Sequence, residues 1–546
     1  MVVAAPEELE GADWRRRGWW RDGTVLDDLR RAVATRAEQP AIVCRYVDGS
    51  PAETLTWLEL AARVDRAAGG LVELGVRPGD VLALQLPNGW PLAVLALAAA
   101  RVGAAVGPLM PILRRREVAF ALARTGSPVV VAPAQHRGFS HAGMLAEVAD
   151  EVPTLLSRVL LDPTGPLPEG VVDFTEHFVR TPWEQRHPAA ELDGLEAGAD
   201  DLAQVMFTSG TTGEPKGVLH SHNTLYALTR AEADALHLTG EDVVTMGSPM
   251  THQAGYAYCL LMPMLLGATA VYQDGWDPAL MQRVIAEHRV TFSMGAPTFL
   301  VDLIEAQRRA PADLSSLRAF ACGSAPIAPV VVERAAEVLG ARVYALWGMT
   351  ENGTVTITRP EDPPGRAAES DGSPVEWMAV RIVDDAGEPV PPGTGGRLQV
   401  RGASQCLGYF GRPDLYAESL VDGWFDTGDL ARDDGHGGIR IVGRVKDVIA
   451  RGGEKIPVVE VEAALLRHPS VRAAAVVGLP DERLGERACA VVAADGPLTL
   501  DDLREHLAGL GMAKQYWPER LELVPELPTT PSGKVQKFLL RERLAD

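Results

Sequence analysis

The chain has 546 residues, of which 46% are hydrophobic and 23% are charged. At roughly 150 residues per compact unit, this length predicts three or four units with buried cores. The formal charge of −21 argues against nucleic acid as a partner, because nucleic-acid binders normally present a basic face. An acidic chain can still hold an anionic ligand at a local basic site.

The five cysteines are scattered, and no two of them form a CxxC pair. An odd, unclustered set is typical of reduced thiols in the cytosol and disfavours a disulfide framework or structural zinc. The first 17 residues show no apolar run of a secretory signal, so we expect a cytoplasmic protein.

The longest apolar stretch, 91–113, is interrupted by Arg101, Gly103, Gly107 and Pro108. A membrane span needs about 20 clean apolar residues. We therefore predict a buried helix followed by a strand, and no integral membrane span.

Short apolar runs alternate with amphipathic helix patterns up to about residue 380, and this alternation predicts an α/β architecture with mostly parallel sheets. A helix is predicted to begin at Pro91. The predicted strands are 81–86, 128–132, 158–161, 203–207, 268–272, 291–294 and 319–321.

From about residue 380 the pattern changes to short strands between Gly, Pro and Asp turns. Strands predicted at 381–383, 396–401 and 438–443 form a small β-barrel-like unit at about 380–445. A further α+β domain of roughly 100 residues follows. Its predicted elements are a helix at 459–466, strands at 473–477 and 488–492, a helix at 500–510 and a polar tail.

The most informative segment, 206–222, reads MFTSGTTGEPKGVLHSH. A predicted strand ends there in a loop of Gly, Ser and Thr whose backbone N–H groups, hydroxyls and Lys216 could surround a phosphate. Composition alone fits a flexible polar loop equally well. A Walker A loop is excluded, because Lys216 lies between Pro215 and Gly217 and GxxxxGK[ST] therefore does not fit.

The segment 208–217 closely resembles the AMP-binding signature of the adenylate-forming superfamily, which includes acyl- and aryl-CoA synthetases, peptide-synthetase adenylation domains and luciferases. Later segments resemble further motifs of that superfamily in the same order. They are WGMTE at 347–351, GRLQVRG at 396–402, GWFDTGDL at 423–430, GRVKDVI at 443–449 with GGEKIP at 452–457, and PTTPSGK at 528–534. The resemblance covers about 26–540. It implies an N-terminal domain at 1–445 and a small mobile C-terminal domain at 446–546.

The resemblance also implies an activity, in which a carboxylate is joined to the α-phosphate of ATP and pyrophosphate is released. Lys534 resembles the catalytic lysine, which contacts the acid carboxylate and the α-phosphoryl oxygens. Thr350 would donate to the α-phosphate, and Glu351 would ligate Mg²⁺, a cation that prefers oxygen donors. The other implied nucleotide-binding residues are Thr208, Ser209, Gly210, Thr211, Thr212 and Lys216 for the β- and γ-phosphates, Gly323, Ser324, Ala325, Trp347 and Gly348 near adenine, and Asp429 and Arg444 for ribose or phosphate.

In the second half-reaction a thiol must reach the acyl-adenylate. The resemblance implies that the C-terminal domain rotates about Lys446 and brings in the loop around Gly452 and Gly453. A glycine pair suits a narrow channel for the pantetheine arm of CoA, because no side chain intrudes. Arg451 and Lys455 are candidates for contacts to the CoA phosphates.

The segment 248–256 reads SPMTHQAGY and resembles the acid-pocket segment of the superfamily. We group its His252 with the catalytic residues. It has no carboxylate that could pair with an ammonium group, which disfavours an amino-acid substrate. The other expected walls, 294–297, Gly323 and 348–349, are mostly apolar. The pocket segments resemble short/medium-chain acyl and alicyclic CoA ligases, which implies an apolar medium-chain, alicyclic or aromatic acid.

Some residues depart from the superfamily's pattern or invite another reading. Trp347 replaces the commoner tyrosine. Cys322 has no positive partner beside it in the sequence, so we interpret it as a buried structural thiol. His220 and His222 lack a third metal ligand nearby, and we favour a structural role. The segment 433–438 lacks the Glu of a calcium loop and predicts a hairpin turn.

The leading hypothesis is an ATP-dependent carboxylic acid:CoA ligase. The alternative within the superfamily is an acyl-AMP ligase that loads a carrier-protein thiol. A regulator without catalysis is disfavoured, because it would be expected to lose Lys534 or Glu351. Nothing in the sequence specifies a luciferase-type oxygenase.

Overall fold

The computed structural model describes residues 2–3, 11–208, 215–325, 327–451, 454–481, 483–530 and 533–544, without the side chains of 2, 3, 11, 12, 446, 450, 454, 455 and 485. Within these ranges the chain forms two large sheets covered by helices, a smaller antiparallel sheet and a C-terminal α+β unit. The predicted fold class is confirmed.

The first large sheet is parallel from its outer strand to Leu202–Thr208 and antiparallel beyond it. Across the sheet, its described strands are Val171–Asp173, Ser157–Leu161, Val129–Pro133, Val81–Leu84, Ala105–Pro108, Leu202–Thr208, Lys216–Ser221 and Gly408–Tyr409. The antiparallel pairing of Thr208 with Lys216 places the two ends of the AMP-binding signature side by side.

The second large sheet has a parallel centre and antiparallel edges. Its described strands in order are Ser373–Pro374, Gly353–Ile357, Arg342–Met349, Ala319–Cys322, Phe292–Gly295, Val243–Met246, Thr269–Gln273, Pro40–Arg45 and Glu53–Thr56. The carboxyl ends of parallel strands meet at one edge of a sheet, where ligands of open α/β sheets bind.

The predicted β-rich unit is an antiparallel sheet, and the C-terminal unit has a sheet of its own. The former contains Val2–Val3, Met378–Val383, Gly396–Gly402, Trp424–Asp433, Leu420–Val421 and Ile439–Arg444. The latter contains Glu454–Ile456, Ile449–Arg451, Gly485–Ala494, Val471–Asp481 and Arg520–Leu523. A short hairpin pairs Gln135–His136 with Phe139–Ser140.

Helices cover the faces of these sheets. The described α-helices are Gly11–Arg16, Val25–Arg36, Trp57–Glu73, Trp90–Arg101, Arg115–Thr125, His141–Glu151, Ala189–Asp193, His222–Ala235, Gln253–Gly255, Met262–Leu266, Pro278–His288, Pro297–Arg309, Pro329–Leu339, Pro413–Glu418, Val458–Leu465, Leu500–Gly509 and Lys537–Leu544. Thr175–Arg180 and Tyr256–Leu261 are π-helices, and short 3₁₀ turns occur at Trp183–Gln185, Arg366–Ala368, Val445–Asp447 and Lys514–Tyr516.

The apolar stretch 91–113 forms a buried helix followed by a strand, as predicted. Every residue of helix Trp90–Arg101 from Leu92 onward is buried, as expected of a helix that is apolar on all sides. Arg101 at its end is ion-paired with Asp65, Asp193 and Glu196, which compensates its burial. In the part of the chain that the structure describes, no helix has the length and apolarity to cross a membrane.

The prediction of a polar tail after residue 510 is wrong about its structure, because the segment forms a strand and a helix. That segment contains strand Arg520–Leu523, which pairs in parallel with Gly485–Ala494, and helix Lys537–Leu544. Leu540 is the residue of this helix that is buried, so the sequence gives almost no apolar periodicity there. Most other predicted elements are present with ends shifted by a few residues.

Candidate active site

The predicted site segments gather at the carboxyl edge of the second large sheet. The segment 247–256 follows strand Val243–Met246, and 296–298 follows Phe292–Gly295. Residues 323–325 follow Ala319–Cys322, and Thr350 follows Arg342–Met349. Because these strands are parallel, residues that are far apart in sequence become neighbours at one edge.

The turn that carries Thr350 and Glu351 is held by its backbone. His220 Nε2 lies 2.8 Å from the Thr350 carbonyl oxygen, the Cys406 N–H donates to the Glu351 carbonyl at 2.7 Å, and Ser404 Oγ donates to the Asn352 carbonyl at 2.8 Å. Three carbonyls in succession therefore have partners from other elements, which fixes the direction of the two side chains.

His220 has a structural role in this geometry. A carbonyl oxygen only accepts, so Nε2 carries the proton, and Nδ1 lies 3.0 Å from Thr224 Oγ1. Burial lowers the pKa of His220 to about 4, which keeps the ring neutral. Among the described residues, no three His, Cys, Asp or Glu side chains cluster as a metal site would require.

Glu351 presents a buried carboxylate that accepts a hydrogen bond from a neighbouring tyrosine. Tyr409 Oη donates to its Oε1 at 2.9 Å, and Lys216 Nζ lies 4.6 Å from the centre of the Tyr409 ring. Burial raises the pKa of Glu351, while Tyr409, Lys216 and Arg444 oppose that rise. Lys216 and Arg444 thus act electrostatically on this carboxylate, an arrangement suited to an ion–phosphate complex.

Asp429 and Arg444 form a cross-strand pair in the hairpin of Trp424–Asp433 and Ile439–Arg444. Arg444 Nε lies 2.7 Å from Asp429 Oδ1, and the Trp347 indole N–H donates to Asp429 Oδ2 at 2.9 Å. The departure from tyrosine at 347 thus has a local explanation, because an indole N–H reaches this carboxylate. The sequence did not predict this contact.

Glycine is required beside the predicted adenine segment. A Cβ on Gly323 would lie 2.4 Å from Leu346 Cδ1, and one on Gly348 would lie 2.1 Å from the Gly353 carbonyl oxygen. Ser324 has a φ of +68°, a left-handed conformation that is uncommon for a residue other than glycine and recurs at functional sites.

Lys534 enters the same region from the C-terminal unit. Its backbone N–H donates to Thr530 Oγ1 at 3.1 Å. Burial and, to a smaller extent, Arg444 lower its pKa to about 8 against an opposing effect of Asp429. The neighbouring Gly533 packs so closely that a Cβ there would lie 2.3 Å from Thr298 Oγ1.

The acid segment carries polar atoms that no described protein atom satisfies. They are Thr251 Oγ1, His252 Nδ1 and both side-chain amide atoms of Gln253. Burial, together with the charge of Lys534, lowers the pKa of His252 to about 4, so the ring is neutral. The segment is uncharged, as expected, but it offers more hydrogen-bonding capacity than a purely apolar wall. Gln253 was missing from the predicted site residues.

Several predicted residues lie outside the described residues, namely Ser209, Gly210, Thr211, Thr212, Gly452 and Gly453, as do the side chains of Lys446 and Lys455. Thr208 and Lys216 end the paired strands, and Thr208 Oγ1 lies 3.4 Å from the Lys216 carbonyl oxygen. Arg451 is ion-paired with Glu519 at 2.6 Å, so in this arrangement it is not free for a CoA phosphate.

Two side predictions can be checked against the structure. The segment 433–438 forms the predicted turn between two strands, with Asp434 Oδ1 accepting from the backbone N–H groups of His436 and Gly438. All five cysteines are buried and unbridged. Burial raises the pKa of the Cys322 thiol, which fits a structural thiol rather than a nucleophile.

Two family models match the chain, the AMP-binding enzyme model over residues 29–410 and the AMP-binding enzyme C-terminal domain over residues 460–534. The chain is 33% identical to a medium-chain fatty-acid–CoA ligase of Escherichia coli, over 99% of this chain and 94% of that protein. It is 34% identical to a salicyl-AMP ligase/salicyl-S-ArCP synthetase of Mycobacterium tuberculosis, over 98% and 93%.

A solved structure with a similar fold is that of the anthranilate CoA ligase AuaEII in complex with anthranoyl-AMP. The two superimpose with a TM-score of 0.85 at 26% sequence identity, over 96% of this chain and 97% of that one. The similarity thus covers both the large N-terminal part and the small C-terminal part.

Proposed function

The chain belongs to the AMP-binding enzyme family and is an adenylate-forming acid–thiol ligase, and on that premise we propose that it joins an apolar carboxylic acid to CoA. The main support is the position of Lys534. Its neighbour Gly533 packs against Ala296 and Thr298 beside the acid-pocket walls, and the charge of Lys534 lowers the pKa of His252 while Asp429 opposes the lowering of the pKa of Lys534. A cation between an acid pocket and a nucleotide pocket can bring two anions together.

In the first step a carboxylate oxygen of the acid attacks the α-phosphorus of ATP, and the bond to the pyrophosphate oxygen breaks. Lys534 offsets the negative charge that accumulates on the α-phosphoryl oxygens and orients the acid carboxylate. Thr350 donates a hydrogen bond to the same phosphate. Asp429 accepts from the ribose hydroxyls, with its orientation fixed by Trp347 and Arg444.

The donor set around Glu351 fits Mg²⁺. The ion is commonly held by one or two carboxylates together with substrate phosphates, and Glu351 is one carboxylate, whose Oε1 accepts from Tyr409. Glu351 would hold the ion, and bound Mg²⁺ would neutralise charge on the phosphates. Lys216, close to Tyr409, supplies a second positive charge on the same side.

In the second step the thiol of CoA loses its proton to solvent and its sulfur attacks the acyl carbonyl, and AMP leaves with the electron pair of the broken bond. Lys534 has no evident task in this step. The C-terminal domain would rotate about Lys446 and bring the loop of Gly452 and Gly453 to the site. The present arrangement, with Lys534 inserted, suits the adenylation step.

The acid pocket indicates the substrate class. Its described walls carry no charge near neutral pH, because His252 is neutral, and Met294 and Ala296 are buried apolar residues. Medium-chain, alicyclic and aromatic acids fit such walls. The unsatisfied amide of Gln253 additionally favours acids with a hydrogen-bonding group near the ring or chain, since buried polar atoms normally have partners.

A substrate screen tests this assignment. Aliphatic acids of increasing length, cyclohexanecarboxylate, benzoate, hydroxylated benzoates, amino acids and dicarboxylates are each incubated with ATP, Mg²⁺ and CoA, and AMP and thioester are quantified. We expect turnover of apolar acids and a selective loss of hydroxylated acids in Gln253→Leu. Faster turnover of amino acids or dicarboxylates than of hexanoate or cyclohexanecarboxylate would contradict the assignment.

A second candidate differs only in the thiol acceptor. The similarity to the salicyl-AMP ligase/salicyl-S-ArCP synthetase favours an acyl-AMP ligase that loads a carrier protein. The same screen with a phosphopantetheinylated carrier domain in place of CoA separates the two candidates. A higher rate with the carrier than with saturating CoA would favour this second function.

A further inference from the structure

A buried carboxyl group lies on the helix that follows strand Lys216–Ser221. Glu232 on helix His222–Ala235 is completely buried. Its Oε1 lies 3.0 Å from Thr354 Oγ1, and its Oε2 has no partner among the described residues. The steps assigned above make no use of this group. An ionised carboxylate with one hydrogen bond and no cation would be costly to bury.

The charged and titratable groups around Glu232 do not supply a counter-ion. Tyr258 on π-helix Tyr256–Leu261 reaches Thr354, and no ion pair joins Glu232 to a described cation. Two elements that pack against helix His222–Ala235 carry titratable or charged side chains. These side chains are Tyr256, Tyr258 and Cys259 on the π-helix, and Lys216 and His220 on strand Lys216–Ser221. The helix itself carries His222, Tyr226, Arg230 and Asp234 besides Glu232. His220 bonds to Thr224 and Thr350, and Arg230 pairs with Asp234.

The hydrogen bonds around Thr354 form a chain. The Thr354 N–H donates to Tyr258 Oη at 2.8 Å, and Tyr258 Oη lies 2.8 Å from Thr354 Oγ1 and 3.2 Å from the Leu228 carbonyl oxygen. Each hydroxyl has a single hydrogen to donate. If Glu232 donates its own O–H to Thr354, then Thr354 donates to Tyr258, and Tyr258 donates to Leu228.

That direction of the chain gives every hydrogen an acceptor. It leaves only a neutral carboxyl C=O oxygen unsatisfied, which is less costly than an unsatisfied anionic oxygen. In the opposite direction the carboxylate is charged, and the close approach of Tyr258 to the Leu228 carbonyl carries no hydrogen. Burial raises the pKa of Glu232 to about 8, in agreement with the geometry.

Thr354 connects two functional segments. It lies three positions after Glu351 on strand Gly353–Ile357, where Gly353 packs so tightly on the helix that a Cβ would lie 2.5 Å from Leu228 Cβ. Tyr258 lies in the π-helix that follows His252 and Gln253. We propose that Glu232 is a positioning residue, a neutral carboxylic acid that donates a hydrogen bond to Thr354. It thereby couples the π-helix that follows the acid segment to the turn that carries Thr350 and Glu351.

Substitution of Glu232 tests this coupling, and its kinetic part rests on the proposed function. The amide of Glu232→Gln can donate as the neutral acid does, whereas Glu232→Leu cannot. At pH 7 we expect pyrophosphate exchange with wild-type KM values for ATP and acid in the Gln variant. In the Leu variant we expect both KM values to rise and kcat/KM to fall by roughly tenfold, the effect of one buried hydrogen bond.

The pH dependence adds a readout that a merely structural role would not move. Lys534 titrates in both proteins, so it cancels in the ratio of the wild-type rate to the Gln-variant rate. That ratio should fall as the pH rises through about 8. The wild-type Tm relative to that of the Gln variant should fall from the ordinary glutamate pKa of 4.5 up to about 8 and level off above it, because in that window only the folded state keeps the proton. A ratio and a Tm difference that both stay flat from pH 6 to pH 9.5, on the order of two units either side of that pKa, would overturn the proposal.

Infrared difference spectra need no substrate and separate this inference from the assigned activity. The wild type minus Glu232→Gln spectrum at pH 7 should show one protonated carboxyl band, and its absence would contradict a neutral Glu232. If Glu232→Leu fails to fold, Thr354→Val removes the accepting hydroxyl at nearly constant volume and should show the same kinetic loss. Thr229→Val removes a buried hydroxyl from the helix that carries Glu232. This hydroxyl has no partner among the described residues, so the rates should stay unchanged.

Discussion

Lys534 is the side chain that we propose to stabilise the charge that develops in the first step. Replacing it with Ala removes the charge that offsets the α-phosphoryl oxygens. We expect adenylation to fall by about 10²-fold or more, the size typical of losing one preorganised charge-stabilising donor. Pyrophosphate exchange measures this step. Lys514→Ala, which removes an exposed lysine of the same domain, should leave exchange unchanged, and an equal loss in both variants would argue against the role.

The lowered pKa of Lys534 predicts an alkaline limit to adenylation. Its pKa is about 8 because burial disfavours the charged form, so the ammonium loses its proton as the pH rises through that value. The exchange rate should therefore decline above about pH 8, whereas an unperturbed lysine would stay charged to about pH 10. A pH–rate profile of kcat/KM for ATP checks this, and a flat profile up to pH 10 would contradict it.

Glu351 predicts the response to magnesium. Glu351→Gln keeps the hydrogen bond from Tyr409 but removes the negative charge, so more Mg²⁺ should be needed for half-maximal exchange. Tyr409→Phe removes only the hydrogen bond and should have a smaller effect. Titration of Mg²⁺ at fixed ATP measures both shifts. An unchanged Mg²⁺ requirement in Glu351→Gln would place the ion elsewhere.

At the scale of elements, the hairpin of Trp424–Asp433 and Ile439–Arg444 carries Asp429 and Arg444 to the end of strand Arg342–Met349. Trp347→Phe keeps an aromatic ring but removes the N–H donor to Asp429. One charge-assisted hydrogen bond is worth about 1.5–3 kcal/mol, so KM for ATP should rise by roughly tenfold or more, with KM for the acid unchanged. Initial rates at varied ATP test this.

Trp424→Phe is the matched control for this change. Trp424 lies on the same hairpin, and its ring packs under Arg381 at 4.8 Å, away from Asp429. If the two Trp→Phe variants raise KM for ATP equally, the effect comes from the stability of the hairpin rather than from the hydrogen bond to Asp429.

The elements that sequence could predict are those with a strong apolar signal. Strands predicted at 128–132 and 291–294 are present at Val129–Pro133 and Phe292–Gly295. Which loops carry the site stays a prediction from the order of motifs. Helix Lys537–Leu544 was missed because it buries little more than Leu540. The Trp347–Asp429 and Glu232–Thr354 contacts join residues far apart in the chain, and no local pattern encodes such pairings. The polarity of Thr251, His252 and Gln253 is visible in the sequence. That these buried side chains have atoms with no hydrogen-bond partner among the described residues is visible only in the structure.

At the scale of the whole molecule, the contact of Gly533 with Thr298 places the C-terminal unit against the N-terminal part. A Cβ on Gly533 would lie 2.3 Å from Thr298 Oγ1, so Gly533→Ala should hinder this arrangement and slow adenylation. Thioester formation from supplied acyl-adenylate should be spared. Gly511→Ala has the same left-handed strain but nothing within 4 Å, and it should leave both steps intact.

Two further variants test the arrangement of the domains that we propose for thioester formation. Gly453→Trp should block the thiol channel and spare adenylation, and Lys446→Pro should do the same by restricting the hinge. Pyrophosphate release and thioester formation are assayed separately for each variant. If Lys534→Ala and Gly453→Trp lower both steps in equal proportion, the two half-reactions do not use alternating arrangements of the domains.

The most direct test of the central claim follows one oxygen atom. An acid labelled with ¹⁸O in its carboxylate, hexanoate or cyclohexanecarboxylate, is turned over with ATP, Mg²⁺ and CoA, and the products are analysed by mass spectrometry. Attack of the carboxylate on the α-phosphorus predicts one ¹⁸O in AMP, none in pyrophosphate, and acyl-CoA equal in amount to AMP. Formation of ADP, or label in pyrophosphate or phosphate instead of AMP, would contradict an acyl-adenylate mechanism.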